Sequence, residues 1–302
     1  MSALRPIRQA IDWGELAPLR LRARQVAEGV YAGVHRSARR GAGVEFGGYR
    51  EYVPGDDLRW LDRRSLLRHE RLVVRQFETE TDRALCLVVD ASASMSFRGP
   101  RAPGAKIAFA AVVAAALARV ALASGDPVSL TFLGGGAHDA PVPRSVGREQ
   151  FERVVGALEA VEPGGDAHLD RGMLERALHS LSRAARRGAI VVFLSDLVDL
   201  PDEAADRMAT LASSGRVLSV VQTLDPAEVD FPYAGTVRLR ALEGGAVVET
   251  DADTTRERYL AALSALTSRW QDAVLRRGGR FVRATTSDDP IDVVRTVVDS
   301  VR

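Results

Sequence analysis

Residues 84–95 read Ala84-Leu-Cys-Leu-Val-Val-Asp-Ala-Ser-Ala-Ser-Met95. The run is short, almost wholly apolar and rich in Val and Leu. It ends abruptly in one carboxylate and two hydroxyls. That pattern predicts a strand over residues 84–90, buried on both faces. Asp90, Ser92 and Ser94 then fall in the loop leaving its carboxyl end, the edge at which open α/β sheets bind ligands. Alternate residues Asp-x-Ser-x-Ser set three oxygens on one side of an extended turn. Hard oxygens suit a small hard cation such as Mg2+, which takes about six ligands at roughly 2.0–2.1 Å and keeps several waters. The same triplet can also cap the following helix and close a turn. A second apolar run, Ala189-Ile-Val-Val-Phe-Leu-Ser-Asp196, ends in an acid in the same way. Two parallel strands presenting Asp90 and Asp196 at one edge make a start to a cation site.

The rest of the chain alternates strands with helices. A helix over residues 105–124 is followed by a strand at 128–133, then a turn at Gly134-Gly-Gly136 into an edge hairpin through Pro141 and Pro143. No Lys-Ser/Thr follows the triple Gly, so it is no phosphate loop. Helices are expected at 148–161 and 170–187, separated by the loop Glu162-Pro-Gly-Gly-Asp-Ala-His-Leu-Asp170. The run to Asp196 is followed by a helix at 201–214 and a strand at 217–223, and Asp225-Pro226 then opens an irregular stretch. A hairpin at 236–242 and 246–250, a long helix at 254–277, a strand at 280–284 and a helix at 290–301 complete the chain. This order predicts a doubly wound α/β fold with a mostly parallel sheet covered on both faces. Residues 1–80 read as an N-terminal helical and β extension, with residues 81–302 as the main domain. Within the extension, Leu16, Leu19, Leu21, Val26 and Val30 are spaced for a packed helical face, and Arg20, Arg22 and Arg24 for a solvated one.

The chain has 302 residues, with 41 basic residues against 40 acidic ones. This balance gives no general argument for nucleic acid or an anionic membrane, and it argues against a nucleic-acid-associated role for the Arg-rich first 75 residues. The basic residues are almost all Arg, and Lys106 is the only Lys. The single cysteine, Cys86, sits inside the apolar strand, where a buried structural thiol and a reducing compartment are expected. The start Met1-Ser-Ala-Leu-Arg5 carries no apolar signal core. The apolar stretch 107–123 is Ala-rich and contains Arg119, which suits a core helix better than a membrane span. A cytoplasmic location is expected.

With Asp90, Ser92, Ser94 and Asp196 placed, the chain resembles a von Willebrand factor A-type domain, Rossmann-like in its winding. That family builds a metal-ion-dependent adhesion site from Asp-x-Ser-x-Ser, a Thr on a second loop and an Asp on a third. The stretch Gly43-Val-Glu-Phe-Gly-Gly-Tyr-Arg-Glu-Tyr-Val-Pro-Gly-Asp-Asp-Leu-Arg59, followed by Val74-Arg-Gln-Phe-Glu-Thr-Glu80, resembles one bacterial branch, the domain-of-unknown-function 58 family. Asp225-Pro-x-Glu228 and residues 243–260 are similar to it too. The resemblance implies Mg2+ or Mn2+ held by Asp90, Ser92 and Ser94, with Asp196 a ligand through water. Ala167 stands where the family has its Thr, so that ligand is missing, and Asp166 substitutes in a weak site. Asp62-Arg63 replaces the family's usual Asp-Trp. The resemblance further implies a non-catalytic protein-interaction module. An acidic side chain of a protein ligand would complete the metal, and a MoxR-type AAA+ ATPase would be the partner in chaperone-like assembly or activation. The alternative is a metal-dependent phosphatase or nuclease using Asp90 and Asp196, with Asp166 and Asp170 as further carboxylates. His35, His69, His138, His168 and His179 are scattered, and no Ser/His/Asp arrangement stands out.

Overall fold

In the computed structural model the described residues are 11–33, 45–51, 73–78, 83–136, 140–165, 171–198, 200–213, 215–242 and 247–300. They fall into two units. One spans residues 35–82; the other joins residues 1–34 to residues 83–302. In the smaller unit, β1 (Glu45–Glu51) pairs antiparallel with β2 (Val73–Glu78), with a bulge between Phe46 and Gly48.

The larger unit is built on β3 (Leu85–Ala91), β4 (Val128–Gly134), β5 (Val142–Ser145), β6 (Ile190–Ser195), β7 (Val217–Leu224) and β10 (Arg280–Thr285), in the spatial order β10-β7-β6-β3-β4-β5. Every pairing is parallel except β5 on β4. Parallel strands need crossovers, and helices supply them. These are α2 (Lys106–Ala123), α3 (Arg148–Ala160), α4 (Arg171–Ala184), α5 (Ala204–Ser213), α7 (Ala252–Arg276) and α8 (Pro290–Ser300). A short α6 (Pro226–Asp230) and a separate hairpin of β8 (Thr236–Arg240) and β9 (Val247–Asp251) complete the unit. The fold is the expected doubly wound α/β.

Alternation along β3 divides the core. Leu85, Leu87 and Val89 face the layer of α2, α3 and α8, whereas Cys86 and Val88 face α4, α5 and α7 with Phe193 and Trp270. Cys86 is fully buried, and burial pushes its thiol pKa up. Helix α2 is buried all round from Lys106 to Ala118. It is long and apolar enough to cross a membrane by length and composition, but its place is the core. Its Ala-rich surface lets neighbouring backbones approach closely, and α1 (Leu19–Gly33) packs against it from outside the sheet. Leu19, Ala23, Val26 and Val30 enter that core, while Leu21 is exposed. The expected boundary at residue 80 therefore shifts: α1 belongs with residues 83–302, because its apolar face is buried there. Arg20 and Arg24 pair with Glu152 and Glu28 at the surface, as a solvated face should.

Candidate functional site

Read along the chain, β4 lies on one side of β3 and β6 on the other. The winding reverses at β3, and the crevice beyond the carboxyl ends of β3 and β6 is the switch point at which such sheets bind ligands. In register, Val89 stands opposite Leu194, which brings the next residues, Asp90 and Ser195, together. The Ser195 hydroxyl donates to Asp90 Oδ2 at 2.5 Å, and the Ser92 amide donates to Asp90 Oδ1 at 2.9 Å. Asp90, Ser92, Ser94, Ser195 and Asp196 are all buried.

Three loops are stitched together around Asp90 by backbone hydrogen bonds. Gly164 N donates to Ala91 O at 2.9 Å, Gly135 N to Gly164 O at 3.0 Å, and Ala93 N to Gly165 O at 3.3 Å. Gly134 makes this approach possible. Its φ is +80°, and a Cβ there would lie 2.9 Å from Ser92 N and 3.2 Å from Gly164 O. Gly134→Ala is accordingly expected to destabilise the fold by about 2 kcal/mol, read as a lower denaturation midpoint, from a left-handed Ala and a displaced Ser92 amide.

The hydroxyls of Ser92 and Ser94 lie 3.1 Å apart. At that distance the two hydroxyls are hydrogen-bonded to each other, and two oxygens bound cis to one ion at about 2.1 Å would sit at a similar spacing, about 3.0 Å. Asp90 has the matching charge. Among the described residues its hydrogen-bond partners are neutral, and its pKa is pushed up to about 6, first by burial and then by the charge of Asp196. A buried carboxylate in that state favours a cation beside it. One carboxylate and two hydroxyls fit a single divalent ion that keeps its remaining positions for water or a ligand.

Asp196 is differently placed. Its Oδ1 accepts from Val198 N at 2.9 Å and its Oδ2 accepts from Lys106 Nζ at 2.7 Å. Lys106 also donates to Glu228 Oε1 at 2.5 Å and stands 5.8 Å from the centre of the Phe97 ring. Burial alone would lower its pKa, but Asp196 and Glu228 outweigh that, and the ammonium is held above its ordinary value. The turn entering α6 is locked as well. Asp225 Oδ1 accepts from Ala227 N at 2.8 Å, and Asp225 N donates to Glu228 Oε2 at 2.8 Å, a reciprocal capping box. Asp225 Oδ2 accepts from Gly99 N at 2.7 Å, which ties this turn to the loop after β3.

The structure thus brings together Asp90, Ser92, Ser94 and Asp196, as the sequence suggests. Asp166, Ala167, His168 and Asp170 lie outside the described residues. So do residues 52–72, with Asp62-Arg63. Ser195, Lys106 and Glu228 are the participants that sequence reasoning missed. The signal for Lys106 was present, a lone Lys in an Arg-rich chain at the start of an apolar helix. The stretch after Asp225, expected to be irregular, begins as the capped helix α6. Among the described residues no three His, Cys, Asp or Glu side chains are placed to hold a metal between them.

The uncharacterized protein Rv1480 of Mycobacterium tuberculosis is 32% identical over 252 residues, covering 83% of this chain and 77% of its own. The same figures hold for Mb1516 of Mycobacterium bovis. Solved structures with a similar fold include BatB from Bacteroides thetaiotaomicron (TM-score 0.48, 15% identity, covering 72% of this chain and 98% of that one). Another is the von Willebrand factor type A protein from Catenulispora acidiphila (TM-score 0.39, 10% identity, 76% and 44%). Residues 48–268 match the family described as "Protein of unknown function DUF58". The match takes in part of β1, β2, and the strands β3 and β6 at whose ends Asp90 and Asp196 stand, and this chain belongs to that family.

Proposed function

We propose that this chain is a non-catalytic protein-interaction module whose binding surface is the carboxyl edge of the sheet at β3. Asp90, Ser92 and Ser94 would hold one Mg2+ or Mn2+ ion there. Bound at that edge, the ion supplies an open coordination position for a carboxylate. The ligand is an acidic side chain of a partner protein, and the setting is assembly or activation beside a MoxR-type AAA+ ATPase in the cytoplasm. The observation that carries this reading is the buried Asp90 carboxylate, whose hydrogen-bond partners among the described residues are neutral, beside two hydroxyl oxygens 3.1 Å apart. Membership of DUF58 supports it at the level of the family. The chain's own groups have plain tasks. Asp90 supplies the anionic oxygen, the serines supply neutral oxygens, and Ser195 and the Ser92 amide hold the Asp90 carboxylate in orientation.

Titration of the purified protein with Mg2+ and Mn2+, by calorimetry and by melting, tests it. Saturable binding is expected, with stabilisation of about 2.7 kcal/mol at a hundredfold excess over Kd, and both signals should vanish in Asp90→Ala. Absence of saturable binding up to millimolar metal would overturn the cation part of the reading. Metal-dependent capture of the ATPase by the wild-type chain, lost in Asp90→Ala, tests the partner.

A further inference from the structure

Lys106 is the chain's only lysine among 41 basic residues, and it is about as buried as a side chain can be, at 1% exposure. Burying an ammonium is costly unless its charge and its donors are met. Here they are met by Asp196, Glu228 and the face of Phe97. An ammonium is a compact point charge with three donors on a flexible stem, whereas a guanidinium is a wide planar fork. Between two carboxylates, Asp196 just after β6 and Glu228 in α6, the compact group fits. The edge is therefore electrically divided. The β6 half carries its own cation, while the β3 half, Asp90, has only neutral hydrogen-bond partners among the described residues.

We infer that Lys106 is the resident cation of the β6 half of the edge: it holds Asp196 against the turn into α6 and takes it out of the metal's ligand set. A divalent ion at Asp90, Ser92 and Ser94 is then bound without Asp196 as a ligand, and binds weakly for that reason. Asp90 and Asp196 each accept hydrogen bonds at both oxygens, but only Asp196 accepts one from an ammonium, Lys106 Nζ, so its charge is already met. Lys106 is a positioning residue here. It sets which carboxylates a divalent ion can use, and it joins the start of α2 to the ends of β6 and β7. This inference rests on the cation reading of the Asp90 loop.

The single lysine permits an assignment-free test. Full-length protein labelled with 15N-lysine should give one side-chain ammonium resonance in slow exchange with water, its exchange rate unchanged within twofold by millimolar Mg2+. A resonance lost to rapid exchange, or one that Mg2+ releases into rapid exchange, overturns the inference. Mn2+ titration supplies the second arm. Asp196→Asn should keep the Mn2+ Kd within threefold of wild type, whereas a tenfold or greater loss of affinity overturns the inference. Lys106→Gln should bind Mn2+ at least tenfold more tightly, and adding Asp196→Asn should reverse that gain, which a merely structural role would not produce. Unchanged affinity in a folded Lys106→Gln overturns the inference, and if that variant does not fold the first two arms decide. If the wild-type chain takes up no Mn2+, the cation reading of Asp90 fails, and the ammonium resonance alone decides whether Lys106 holds the β6 half.

Discussion

In metal-free buffer at neutral pH, Asp90→Asn is expected to be more stable than wild type by about 1–3 kcal/mol and to lose its response to Mg2+. The gain follows from charge. Asp90 is fully buried, its described hydrogen-bond partners are neutral, and its pKa is pushed up to about 6 by burial and then by Asp196. The difference between an ordinary carboxylate and one held near 6 corresponds to about 3 kcal/mol of disfavoured charge at neutral pH. Asn keeps an acceptor for the Ser92 amide and is of nearly equal size, so the cavity and overpacking effects that dominate core substitutions do not arise. Chemical denaturation of both proteins in chelator measures it. An equal or lower midpoint for Asp90→Asn would show that the carboxylate is compensated within the fold, which removes the argument for a cation. A residue whose replacement stabilises the protein while removing a response is what a binding site exchanges for function.

Asp225→Ala is expected to have the opposite effect, a loss of about 2–4 kcal/mol. Asp225 is fully buried and accepts from two backbone amides, Ala227 N at 2.8 Å and Gly99 N at 2.7 Å. Removing a helix cap costs about 1 kcal/mol, and leaving a second buried amide unmet adds about 1–3 kcal/mol. Asp225→Asn, which keeps one acceptor, should lose roughly half as much. The measurement is the denaturation midpoint at unchanged slope. A loss under about 1 kcal/mol for Asp225→Ala would mean that the turn is held by Glu228 and Lys106 without it.

Much of the scaffold was legible because each central strand is an apolar run closed by a hard stop. The stop is Asp90 after Val88-Val89, Gly134 after Phe132-Leu133, and Asp196 after Leu194-Ser195. Burial on both faces demands such runs, so β3, β4 and β6 announce themselves. Helix α1 was harder. Its apolar spacing showed a helix, but only packing showed that Leu19, Ala23 and Val26 face the core and Leu21 faces solvent.

By itself the sequence determined the winding, the place of Asp90, Ser92 and Ser94 after β3, and the family signature at 43–59, because all of these are local or periodic. The tertiary structure alone decided what Asp196 does. Its partner Lys106 is 90 positions away, and the second carboxylate on that ammonium, Glu228, is 122 positions from Lys106. Two acids at the ends of neighbouring strands look equivalent in sequence. A buried charge is governed by the nearest opposite charge, and only the folded chain shows that Asp196 has one in Lys106 while the described hydrogen-bond partners of Asp90 are all neutral.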